Sequence, residues 1–164
     1  MTSEAPSEAP DPVEVVREMA LRHLDRRAFG VAELKAVLLR KGADETVVDD
    51  VLGRLERAGL LDDDAYAATM VEQRHDLRHQ SRQAVVYEMR KRGLAPEVVE
   101  AAVSHIDDGS DLEGARLVAA QRWPRLAGLD KAVIWRRLSG SLARKGYSPA
   151  VVSQVVGEAL HGDL

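Results

Sequence analysis

Residues 38–42, Leu38-Leu39-Arg40-Lys41-Gly42, return as Met89-Arg90-Lys91-Arg92-Gly93 and again as Leu142-Ala143-Arg144-Lys145-Gly146. Outward from the three glycines the agreement persists. Upstream stand Leu34, Val85 and Leu138; downstream stand Val47-Val48, Val98-Val99 and Val151-Val152, then Val51-Leu52, Ala102-Val103 and Val155-Val156. So many matches at one alignment mark a tandem repeat. Apolar residues at i, i+4 and i+8 predict a helix before each glycine. The glycine ends that helix by taking the left-handed conformation that a Cβ would oppose. Pro96 and Pro149, after Ala95 and Ser148, suit the first turn of a second helix. That helix presents a double apolar seam, such as Val47, Val51 and Leu55 beside Val48 and Leu52.

A further helix precedes each pair, near 13–27, 63–79 and 111–123, with joints near 59–62, 107–110 and 124–129. The predicted fold is all-α: three tandem three-helix repeats, each too small to bury its seam alone, stacked into an elongated, curved array. Its divisions are a tail at 1–12 and repeats at 13–60, 61–108 and 109–164. The tail, Ser3-Glu4-Ala5-Pro6-Ser7-Glu8-Ala9-Pro10-Asp11-Pro12, is acidic and of low complexity, and disorder is expected there.

Composition narrows the function. Apolar residues make up 45% of the 164, enough for a packed core, but aromatics only 4%. The interior must therefore be Val, Leu and Ala, which argues against a large aromatic-lined ligand pocket. Without cysteine there is no disulfide, thiolate metal site or cysteine nucleophile. No segment reaches the roughly 20 apolar residues that span a bilayer. The first residues are acidic, unlike a secretory signal, so a cytoplasmic protein with no membrane partner is expected. The net charge is −4, and residues 1–14 hold four acids and no base. Taking those four from 27 acids leaves 23 against 23 Lys and Arg, so the body is neutral. Such a body can carry a local basic stripe without being a strong general polyanion binder.

Few residues suggest chemistry. Asp62-Asp63-Asp64 lacks the spaced oxygens and glycine turns of a carboxylate metal site, and fits an N-cap with first-turn acids instead. His75 and His79 share an i, i+4 spacing, but Asp76-Leu77-Arg78 between them is not a zincin motif; a solvated helical face is expected. There is no G-x-S-x-G, Walker A loop or G-x-G-x-x-G, and Ser139-Gly140-Ser141 sits inside a helical pattern as a place for close packing. Trp123 and Trp135 flank a joint and are expected to pack there. No catalytic, metal or cofactor residue emerges.

The basic pairs remain. One cation in a helix's last turn complements the dipole for a few tenths of a kcal/mol. That explains less well the clusters Arg90-Lys91-Arg92 and Arg136-Arg137 with Arg144-Lys145. Recurrence in every unit suggests a stripe suited to a long polyanion, such as a nucleic-acid strand or a nucleoprotein filament.

These features together resemble the RecX family of recombinase regulators. The resemblance rests on Arg26-Arg27, Glu33-Leu34 and Leu38…Lys41-Gly42, then on Leu55…Gly59-Leu60-Leu61-Asp62-Asp63-Asp64-Ala65-Tyr66-Ala67. Glu88-Met89-Arg90-Lys91-Arg92-Gly93 and Leu142-Ala143-Arg144-Lys145-Gly146-Tyr147-Ser148 extend it over about residues 15–160. Gly30 stands where the family usually has Ser, Ala43 where an aromatic is common, and His79-Gln80-Ser81 replaces a Gly-containing entry to the second unit.

The resemblance implies a non-enzymatic monomer without cofactor. It would bind RecA and its filament, restraining ATPase, strand exchange and coprotease activity in DNA repair, recombination and the SOS response. Single- or double-stranded DNA would be bound weakly without RecA. Carried onto this chain, the contact surface would be Arg40, Lys41, Arg90, Lys91, Arg92, Arg136, Arg137, Arg144 and Lys145. The alternatives are an autonomous helical DNA-binding module acting without RecA, and a helical scaffold for other proteins.

Overall fold

The structure is a computed structural model describing residues 10–163, with no strand among them. The chain divides into two compact units at Tyr66–Ala67.

In the first unit, α1 (Pro12–Leu24), α2 (Val31–Arg40) and α3 (Glu45–Arg57) close on one core, and α4 (Asp63–Val71) begins. Of the predicted tail, residues 1–9 lie outside the described residues. Asp11 and Pro12 instead start α1: the Asp11 carboxylate accepts from the Val13 N–H at 3.0 Å, and Pro12 takes the first turn. Leu34 and Leu38, one turn apart on α2, are fully buried. They meet Val16 and Ala20 of α1 and the α3 seam of Val48, Val51, Leu52 and Leu55. Each such side chain contributes about 1.5–3 kcal/mol on burial.

The second unit holds the rest of α4, α5 (Arg82–Lys91), α6 (Pro96–Val103), α7 (Asp108–Arg122), α8 (Lys131–Arg144) and α9 (Pro149–His161). The described residues thus form nine α-helices in three groups of three, as the repeat predicts. The helix expected over 63–79 stops at Val71 and unwinds into a π-helical turn, Glu72–Asp76. Beyond it Gln80 N–H donates back to the Arg74 carbonyl, and His79 lies at φ +50°. Ile134, Leu138 and Leu142 of α8 pack with Val155 and Val156 of α9 and Val118 of α7. Trp123 packs against this core as expected, whereas Trp135 is 43% exposed.

Each repeat's second helix ends the same way. Gly42, Gly93 and Gly146 sit at φ +86°, +81° and +87°. The residues after them (Ala43, Leu94, Tyr147) donate to Leu38, Met89 and Leu142, in the Schellman pattern.

Within the second unit the middle and third repeats meet tightly. Ser81 N–H donates to the Lys145 carbonyl at 2.9 Å, and Ser81 Oγ donates to the Gly146 carbonyl at 2.8 Å. The Tyr147 hydroxyl donates to the His79 carbonyl at 2.8 Å; burial, then the Asp111 charge, push this phenol well above its ordinary pKa.

Candidate cationic binding surface

The Schellman ends place the predicted cations, but not all alike. Arg40 and Lys41, at the end of α2, are exposed, and no ion pair or hydrogen bond engages their side chains among the described residues. They lie by the end of α1, where burial first, then the charges of Lys41, Arg26 and Arg27, lower the His23 pKa. Arg90 and Lys91, ending α5, are likewise exposed and unpaired.

Arg92 is different. It pairs with Glu88 at 3.0 Å, and Glu88 also takes Arg74 at 2.9 Å, so Arg92 is tied to its own helix. Lys145 is different too: its ammonium donates to the Arg78 carbonyl across the repeat junction. Burial, then the Arg122 and Arg78 charges, lower its pKa. Both cations thus have partners within the fold, unlike Arg40, Lys41, Arg90 and Lys91.

The third repeat gathers the rest. Arg136, Arg137 and Arg144 of α8 line one open cavity of about 580 Å³, joined there by Arg122 and Arg125. Gln121 and Leu126 complete the lining. No carboxylate lines it, and none of the five guanidinium groups is ion-paired among the described residues. Arg122 ends α7 and Arg125 closes the 3-10 turn Trp123–Arg125, so Pro124 turns the chain between them. Sequence reading missed both, because the stretch was weighed for its tryptophan alone. The signal was the spacing of two arginines around a proline at a helix end.

The other candidates resolve as structure. Asp62 accepts from Ala65 N–H at 3.0 Å, the expected cap. Asp63 reaches further, accepting from Val31 N–H at the start of α2 at 2.9 Å. It thereby supplies the cap that Gly30 cannot. Asp111 on α7 repeats the device, accepting from Arg82 N–H at 2.8 Å at the start of α5. Burial raises the Asp111 pKa, opposed by that hydrogen bond.

His75 and His79 do not share a solvated helical face. His75 lies within the π turn and His79 beyond it at φ +50°; His75 Nδ1 lies 2.8 Å from the Gln80 carbonyl, with its side chain 11% exposed. Among the described residues no group of three or more His, Asp or Glu could hold a metal. Within Ser139-Gly140-Ser141 the expected close packing belongs to Ser141, which is buried. A Cβ on Gly140 would meet only the Arg144 guanidinium, at 3.3 Å.

Residues 17–55, 62–103 and 110–156 match the first, second and third three-helix domains of RecX. The chain is 37% identical over 150 residues to the regulatory protein RecX of Streptomyces coelicolor, covering 92% of this chain and 80% of that one. It is 34% identical over 162 residues to the regulatory protein RecX of a Mycobacterium species (strain JLS), covering 96% and 88%. The crystal structure of RecX from Lactobacillus salivarius shares the fold, with a TM-score of 0.73 at 18% identity over 93% of this chain and 99% of that one.

Proposed function

The chain belongs to the RecX family of regulatory proteins, and from that membership and its exposed cations we propose that it binds the RecA nucleoprotein filament and restrains its ATPase, strand-exchange and coprotease activities. The observation that carries the reading is the recurrence of an unpaired cation two residues before each repeat's glycine, Arg40, Lys91 and Arg144, with further unpaired cations at Lys41, Arg90, Arg136 and Arg137. A filament offers a repeating anionic partner, and a repeated surface suits it better than a single point of contact would.

The action is steric and allosteric rather than chemical: a bound monomer in the cytoplasm biases filament assembly or conformation, with no cofactor. Such a bias requires a difference in affinity between filament states. Arg92 and Lys145, each with a partner within the fold, would have to release it to join the contact surface. The test is RecA ATP hydrolysis on single-stranded DNA with this protein titrated in. Falling hydrolysis at stoichiometric amounts is expected; unchanged hydrolysis at saturation with the cognate recombinase would remove the proposal.

A further inference from the structure

We propose that the arginine-lined cavity of the third repeat is a seat for one phosphodiester backbone of nucleic acid, distinct from the cations of the other repeats. This deepens the filament reading by naming which chemistry meets which surface. Two observations carry it.

The first is the kind of charge. Five guanidinium groups, those of Arg122, Arg125, Arg136, Arg137 and Arg144, converge on one cavity of about 580 Å³ with no carboxylate in its lining. Gathering like charges costs stability, and nothing within the protein offsets it there. The field reaches Lys145, whose pKa is lowered in part by Arg122. A guanidinium fork matches two phosphate oxygens in one plane, whereas an ammonium offers a point charge.

The second is the layout. Arg136 and Arg144 stand two turns apart on one face of α8, about 12 Å along the axis at the 1.5 Å rise of a helix. Arg122 and Arg125, from the end of α7 and the turn after it, line the same open cavity. Cations spread over that length fit a linear backbone better than a single compact anion.

An acidic protein segment is the competing occupant. It would be served as well by the exposed cations Arg40, Lys41, Arg90 and Lys91 of the other repeats, and it has no need of five forked groups gathered in one cavity. The cations Arg40, Lys41, Arg90 and Lys91 are then left for protein contacts on the filament.

The experiment measures binding of the full chain to a labelled oligothymidine by fluorescence anisotropy, without recombinase, from about 50 to 200 mM salt. The double variant Arg136→Gln/Arg144→Gln is expected to weaken binding about tenfold at low salt. It should also lower the slope of log K against log salt by about 1.4, at about 0.7 per single-strand phosphate contact. The charge-matched variant Arg40→Gln/Lys41→Gln should leave that slope within about 0.3 of the parent.

Equal losses for the Arg136/Arg144 and Arg40/Lys41 variants would overturn the proposal. So would displacement of the oligonucleotide by polyglutamate as readily as by unlabelled DNA of equal charge, or binding to duplex alone. Because recombinase is absent, these failures leave the ATPase reading standing, and an unchanged ATPase leaves the groove standing.

Discussion

Gly146→Ala should destabilise the second unit far more than Gly128→Ala, although both glycines have the same backbone conformation. Gly128 lies at φ +90° with nothing within 4 Å of an added Cβ, so its replacement costs only the left-handed strain, about 1–2 kcal/mol. Gly146 lies at φ +87°, and there an added Cβ would fall 2.6 Å from the Ala84 Cβ and 2.7 Å from Ser81 Oγ. The Ala84 methyl is fixed to the first turn of α5 and cannot rotate away. It stands about 0.8 Å inside the 3.4 Å at which ordinary contact begins. Relief requires the third repeat to back away from the middle one, loosening the Ser81 hydrogen bonds to the carbonyls of Lys145 and Gly146. Overpacking adds about 1–3 kcal/mol to the strain, for a total of about 2–5 kcal/mol. Urea unfolding followed by circular dichroism would measure both variants against the parent, and the comparison holds because both sites lie in one compact unit. Equal losses in the two variants would refute a tight junction at Gly146.

Charge reversal at Arg40, Lys41, Arg90 and Lys91 together should weaken the restraint of RecA ATPase at least tenfold at a stability cost of about 1–3 kcal/mol, since these side chains are exposed and unpaired but end α2 and α5, where acids oppose the dipole; a retained effect in the ATPase titration would point to a scaffold role. Asp63→Ala should cost about 1 kcal/mol in a thermal melt by uncapping α2, where Gly30 has no side chain to substitute. Glu158 is held down to about 2 by its two-pronged pairing with Arg116, at 2.8 Å for each bond, and then by Gln154. A depressed carboxylate stabilises the fold above its unfolded value and loses that contribution as pH falls from about 4.5 towards 2. Glu158→Gln should therefore narrow the gap between urea midpoints at pH 7 and pH 3.

The architecture was legible where it depends on near neighbours. A left-handed glycine after two apolar turns is a local device, and Gly42, Gly93 and Gly146 perform it as read. The same holds for Pro96 and Pro149, and for the α3 seam. Legibility failed where a partner comes from elsewhere in the chain. Arg92 and Lys145 look as free as their counterparts, but Glu88 takes one and the Arg78 carbonyl takes the other. Arg122 and Arg125 join Arg136, Arg137 and Arg144 only because a 3-10 turn and α8 bring distant stretches together. The π turn after α4 was hidden for the same reason, since the helical spacing of His75 and His79 persists in a stretch whose backbone does not keep to it.

The neutral body also needs a second reading. Equal numbers of acids and bases suggest little attraction for a polyanion, yet the two signs do different work in this fold. Asp11, Asp44, Asp107 and Asp130 accept from amides at the starts of their own helices. Asp63 and Asp111 do so for other helices, α2 and α5. A carboxylate bound to helix amides is partly offset by the positive end of the dipole it caps. The cations at the opposite ends of α2, α5 and α8 meet partial negative charge there, but it is spread over carbonyls already bonded to the glycine turn. The arginine cavity is therefore more positive than the net charge implies. Its attraction for a strand should fall steeply with salt even though the chain as a whole is acidic.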